Sequence, residues 1–107
     1  MVKKILVPFD GSPNSERGLE KAIYFARQCN ATITGLYVAY VPPGLVFEAV
    51  ENIDSASMKK IDKLLEDAKV LSAQNGIYFE HQVVHGKAGA KILEFANDWQ
   101  YDLIVMG

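Results

Sequence analysis

Four short apolar runs alternate with segments of helical period, and this alternation leaves the chain few architectures to choose from. Lys4-Ile5-Leu6-Val7-Pro8-Phe9 carries apolar side chains at consecutive positions, so a strand made from it needs cover on both faces. Pro8 cannot donate to a ladder and belongs near the end of that strand. Ser12-Pro13 then supplies an N-cap followed by proline at the first helical position. Leu19, Ala22, Ile23 and Ala26 recur at helical spacing, and Asn30 supplies a stop. Thr32 to Ala39 reads as a second strand. Met58, Ile61, Leu64, Leu65, Ala68 and Leu71 mark the longest helix, from about Ser55 to a stop at Asn75-Gly76. Ile77 to Val84 alternates as a third strand ending at His85-Gly86. Ile92, Phe95, Ala96 and Trp99 define a third helix, with Phe95 and Trp99 expected in the core, and Tyr101 to Met106 a fourth strand.

The order β-α-β-α-β-α-β implies an α/β fold: a doubly wound, open parallel sheet with right-handed crossovers and helices on both faces. Residues 40–54, with Pro42-Pro43-Gly44 and no clean period, read as a long connection containing one helical turn near Phe47-Glu48-Ala49-Val50. A connection of that length in a compact domain is usually functional or mobile. The 107 residues make one domain, 1–107, without internal repeats. The fourth strand, placed beside the first, would be an apolar edge that a partner chain, a swapped element or further chain beyond Gly107 has to cover, and a homodimer or higher oligomer is the expected state.

Composition removes several function classes. Eleven basic and thirteen acidic residues give a net charge of −2, with Lys3-Lys4 and Lys59-Lys60 as isolated pairs, so no basic stripe exists for nucleic acid. No apolar run reaches the roughly 18 residues of a membrane span, and the start of the chain lacks the h-region of a signal peptide. The single cysteine, Cys29, excludes an internal disulfide, and the expected compartment is the cytoplasm. At an apolar helical position it reads as a small core residue. His81 and His85 lie four apart on a strand with no acidic companion, so no metal site is expected. Gly86-Lys87-Ala88-Gly89 reads as a plain turn before a helix.

Ligands of open parallel sheets bind outside the carboxyl ends of the strands, where the strand order reverses. That end of the first strand is Pro8-Phe9-Asp10-Gly11-Ser12. Asp10 can accept hydrogen bonds from a ribose or a base, Gly11 permits a tight turn, and Ser12 opens the helix. The same residues also serve as an ordinary strand-to-helix turn.

Lys4-Ile5-Leu6-Val7-Pro8-Phe9-Asp10-Gly11-Ser12 resembles the first strand and turn of the universal stress protein family. Leu36-Tyr37-Val38 is similar to its second strand, Val84-His85-Gly86-Lys87-Ala88 to the turn before its third helix, and Asp102-Leu103-Ile104-Val105-Met106-Gly107 to its fourth strand. The resemblance spans the chain in the right order. It implies a Rossmann-like, adenine nucleotide alpha hydrolase-like sheet of order 3-2-1-4-5, from which this sequence lacks the fifth strand and last helix. It also implies ATP or AMP, with or without Mg, in the crevice between the first and fourth strands. By position, Asp10 would meet the adenosine moiety, Pro8, Phe9 and Ser12 would line the turn, Val38 would bind the adenine edge through its main chain, and Met106 would pack nearby. The family's nucleotide-binding branch holds phosphate with Gly-x2-Gly-x9-Gly-Ser/Thr, and only the opening glycine, Gly107, is in this sequence. The fifth strand commonly pairs across a dimer in that family.

The resemblance therefore implies a regulatory stress-response protein that binds adenine nucleotide and signals through an unidentified regulatory protein partner. No Ser/His/Asp arrangement, paired carboxylates or Walker lysine is present, so no catalytic residue is assigned and slow ATP hydrolysis is the most that is expected. The alternative is a dimerising interaction module that binds partners without nucleotide. A phospho-accepting receiver domain fits less well, because residue 9 is phenylalanine and the third strand ends in His85.

Overall fold

The computed structural model describes residues 2–10, 12–39 and 55–106. The expected helical turn near Phe47 lies outside them. The elements run β1 (Lys4–Pro8), α1 (Pro13–Cys29), β2 (Thr32–Ala39), α2 (Ser55–Gln74), β3 (Phe79–His85), α3 (Ala88–Asp98) and β4 (Leu103–Ile104). The strands form one parallel sheet, as the alternation implies, in the order β3-β2-β1-β4 that the family resemblance implies.

The ends of α1 and the stop of α2 lie where local chemistry puts them. Ser12 caps α1 in an extended conformation, its Oγ accepting from the Ser15 N–H at 3.2 Å, and Pro13 follows in the first turn. Asn30 ends the helix in the left-handed conformation at φ 57°, which a short amide side chain tolerates. After α2, Gly76 turns the chain at φ 71°.

The apolar run of β1 is covered on both sides. On one face Ile5 and Val7, with Ile33 and Phe79, pack against Leu19, Ala22, Ile23 and Ala26 of α1 and Leu65 and Ala68 of α2. Gly35 makes room there: a Cβ on it would lie 2.6 Å from Phe79 Cζ. On the other face Leu6 and Leu36 meet Ile92 of α3, with Val38, Val84, Phe95, Ala96, Tyr101 and Ile104 around them. Cys29 is half-buried against the first of these clusters, in keeping with a small packing residue.

Three details depart from the sequence reading. The third strand begins at Phe79, not Ile77, although Ile77 is buried and the Tyr78 carbonyl already accepts from the Ile33 N–H. Trp99, expected in the core, is 61% exposed. Phe95 takes the inward place on α3 and stacks on Tyr101 at 5.7 Å, while Trp99 falls on the C-cap just past the last helical residue. The fourth strand shrinks to Leu103–Ile104, against an expected Tyr101 to Met106. Its ladder partner explains the shortening. The β1 backbone groups facing β4 belong to even-numbered residues: Lys4 O accepts from the Asp102 N–H and Leu6 O from the Val105 N–H. The next donor on that side would be the N–H of Pro8, which does not exist.

The amino end of the same pair is tightly joined. Asp102 Oδ2 accepts from the N–H groups of both Lys3 and Lys4 at 2.9 Å. Lys4 Nζ lies 4.5 Å from the Tyr101 ring centroid and donates to the Trp99 carbonyl. Tyr101 donates its hydroxyl proton to Thr34 Oγ1 at 2.8 Å, which ties β4 across β1 to β2. No helix among the described residues is long and apolar enough to cross a membrane.

Candidate functional site

The chain leaves β1 toward β2 on one side and returns through α3 to β4 on the other, so the strand order reverses between β1 and β4. At the carboxyl ends of these strands lies a cleft of about 310 Å³. That volume is at the low end of small-molecule pockets, roughly 300–1,000 Å³.

The cleft has two unlike walls. Leu36 and Val38 of β2, Ala88 and Ile92 of α3, Pro8 and Met106 make an apolar side. Asp10, Ser12, Asn14 and Ser15 make a polar one, with Phe9 beneath the turn and buried in the core. Each position follows from local structure. Alternation along β2 puts Leu36 and Val38 on one face, and Ala88 and Ile92 sit one turn apart on α3. The strand-to-helix turn delivers Asp10 and Ser12.

Asp10 is the charged member of the site. Its Oδ1 accepts from the Ser12 N–H at 2.8 Å. Hydrogen bonding from the Ser12 side chain, then from the Ser12 backbone, holds the carboxyl below the usual aspartate range, so it is ionised at neutral pH. An ionised carboxylate only accepts, and with one oxygen engaged locally the group retains capacity for ligand hydroxyls or ring N–H groups. Ser12 uses Oγ on the Ser15 N–H, and Ser15 returns its own hydroxyl proton to the Ser12 carbonyl at 2.9 Å. The polar wall is therefore cross-braced before any ligand arrives.

Pro8, Phe9, Asp10, Ser12, Val38 and Met106, the residues singled out from the sequence, all line this one cleft. Gly107 lies outside the described residues. Asn14, Ser15, Leu36, Ala88 and Ile92 line it too and were not singled out. The signal was present for some: Leu36 is two before Val38 on the same strand face, and Asn14 and Ser15 form the first turn after the Ser12 cap. Nothing in the sequence pointed to Ala88 and Ile92, because their approach depends on how α3 crosses the sheet.

Other candidates stand apart from the cleft. His81 and His85 are exposed on edge strand β3. Among the described residues, no group of three or more His, Cys, Asp or Glu side chains could hold a metal ion. Gly86 has φ 143° and its N–H donates to the Ala39 carbonyl at 2.9 Å, making the tight turn that begins the approach to α3.

The family model for the universal stress protein family matches residues 1–107. Universal stress protein MJ0531 of Methanocaldococcus jannaschii is 32% identical over 110 residues, taking in the whole of this chain and 65% of its own length. The chain thus spans a little under two thirds of that relative. A crystal structure of a universal stress protein in complex with cAMP superposes with a TM-score of 0.77 at 22% identity, over 98% of this chain and 75% of the other. An Arabidopsis thaliana protein of the family, solved with AMP bound, gives a TM-score of 0.68 at 17% identity, over 98% and 76% respectively. At such identities these two likenesses speak for the fold.

Proposed function

The chain belongs to the universal stress protein family, and from that premise we propose that it is a regulatory, stress-response protein that binds an adenine nucleotide, ATP or AMP, in the β1/β4 cleft. The cleft's division into an apolar wall and an ionised, hydroxyl-bearing wall carries this reading. A nucleoside has the same division: a flat ring whose faces suit Leu36, Val38 and Ile92, and a sugar whose hydroxyls suit Asp10 and Ser12. That proteins of similar fold were solved with cAMP and with AMP supports the choice of base. In this reading Asp10 accepts from the adenosine moiety, Val38 offers its main chain to the adenine edge, Met106 and Pro8 flank the ring, and Gly107 begins the phosphate-holding segment. No residue is assigned a part in bond cleavage, so the bound state itself is the output, passed to a protein partner. Homodimeric association in the cytoplasm belongs to the same reading.

Calorimetric titration with ATP, AMP and adenosine side by side tests the proposal. Saturable binding of at least one of them, weakened in Asp10→Asn, is expected. Absence of binding by all three would overturn the nucleotide reading and leave a nucleotide-independent interaction module. Sedimentation at graded concentrations checks the association.

A further inference from the structure

A second concave surface lies between α1 and α2, on the opposite face of the sheet from α3. Leu19 of α1 and Leu64, Ala68 and Leu71 of α2 make its apolar lining. The three α2 residues recur at helical spacing and so form one stripe. Phe9 closes one end and is the wall this groove shares with the β1/β4 cleft. The volume is about 150 Å³. That is well below the roughly 300 Å³ at which small-molecule pockets begin, and it suits apolar side chains presented by another chain. Leu71 remains exposed, so apolar surface is on offer there.

The rim of the groove carries one sign of charge. Glu16 and Glu20 stand one turn apart on α1, and Asp67 lines the groove from α2. No lysine or arginine lines it, although α1 carries Arg17 and Lys21 and α2 carries Lys60, Lys63 and Lys69. Among the described residues none of the three carboxylates is ion-paired. Glu16 has a local reason to be where it is, the positive end of α1. Glu20 and Asp67 lie further along their helices, and like charges one turn apart oppose helix formation. We propose that this groove is a docking surface for a basic amphipathic helix of a partner protein. Apolar side chains of that helix enter between α1 and α2, and its lysines or arginines meet Glu16, Glu20 and Asp67. An apolar groove bordered by charge is the usual receptor for such a helix, the groove supplying affinity and the rim choosing the partner's sign. Nothing in this docking requires nucleotide in the cleft.

The test is fluorescence anisotropy with a labelled peptide of about five helical turns, ~18 residues, whose leucine stripe is bordered by lysines. The same peptide with glutamates in place of the lysines is the comparison. Wild type is expected to bind the lysine peptide saturably and not the glutamate peptide, with affinity falling as salt screens the rim. Glu20→Lys combined with Asp67→Lys should weaken binding roughly ten-fold or more, since two attractions become repulsions. Asp62→Lys combined with Glu66→Lys makes the same change in net charge on α2, at exposed residues outside the groove. It should leave the affinity within about two-fold of wild type. Leu71→Ala should weaken binding several-fold and leave the salt dependence as it was. All five positions are exposed, so these variants fold. Equal loss in the two charge-reversed pairs, or equal binding of the two peptides, would overturn the proposal. Failure of wild type to bind the lysine peptide, as a groove already filled by a second copy would give, overturns it too.

Discussion

At its amino end the β1–β4 pair is closed by Asp102, which accepts from the successive N–H groups of Lys3, just before β1, and Lys4, and by Tyr101, which reaches across to Thr34. At its carboxyl end the same pair meets Pro8 and separates, and the cleft opens there. Two strands that touch along only two residue pairs are thus joined at one end and parted at the other. The difference teaches how a sheet opens a cleft without a special loop. Polar groups are satisfied across strands where rigidity is needed. A ladder donor is missing where the cleft opens.

Four substitutions would break or sharpen that contrast. The largest effect is expected where both ends depend on one side chain: Leu6, fully buried at the centre of β1 beside Ile104. Leu6→Ala should cost about 2–5 kcal/mol in urea unfolding, and nucleotide binding should fall with the folded fraction. Asp10→Asn addresses the open end alone. We expect nearly unchanged stability and roughly ten-fold or greater loss of ligand affinity in calorimetry, the worth of a charged hydrogen bond. Because Asp10 is held below the ordinary aspartate range, wild-type affinity should persist down to about pH 4 and fall only as the pH drops through the lowered value. Loss of affinity at neutral pH would contradict this.

Tyr101→Phe addresses the closed end. Removing the hydroxyl that donates to Thr34 should cost about 0.5–1.5 kcal/mol and leave ligand affinity unchanged. A change in affinity would mean that the two ends are coupled. Burial, the larger influence, raises the Tyr101 pKa, so the protonated phenol is the form the fold prefers. Its contribution is complete below pH 10 and is lost as pH rises through the folded value. The smallest effect is expected for Asp102→Asn, at a fully exposed carboxylate. Hydrogen bonds from the Lys3 and then the Lys4 backbone hold its pKa low. Its contribution is therefore present above the unfolded value and lost as pH falls through the lower folded one. The urea midpoints of wild type and variant should differ at pH 7 and converge in acid; a constant difference would remove the carboxylate from the account.

Much of this contrast is legible in the residues. The apolar run of β1, Ser12-Pro13 and Asn30 are local signals with local causes, and each lands where the structure has it. Alternation of strands and helices makes the parallel sheet legible, and the family resemblance supplies the order β3-β2-β1-β4, which places the order reversal beside Asp10. The length of β4 is less legible, because Tyr101 to Met106 looks apolar enough for a full strand while the limit is set by Pro8, far away in sequence. Trp99 misleads for a related reason. Its spacing continues the apolar stripe of α3, but the helix ends at Asp98 and the stripe ends with it. The amino-end clamp is likewise silent in the sequence, since nothing about a lone Asp102 announces that it will meet the backbone N–H groups of Lys3 and Lys4, where β1 begins.

The clamp also bears on the order in which the molecule assembles. Lys4 and Asp102 are 98 residues apart in the chain, whereas β1 and β2 are separated by a single helix. Contacts of such long range close slowly, because the chain entropy of the whole intervening segment has to be overcome before they form. β1, α1 and β2 can associate early; β4 docks once α3 has carried the chain back across the sheet. The cleft needs both strands, so a ligand that binds there selects molecules in which this longest loop has closed, and stabilises them by mass action. Occupancy of the cleft is in that sense a readout of complete folding.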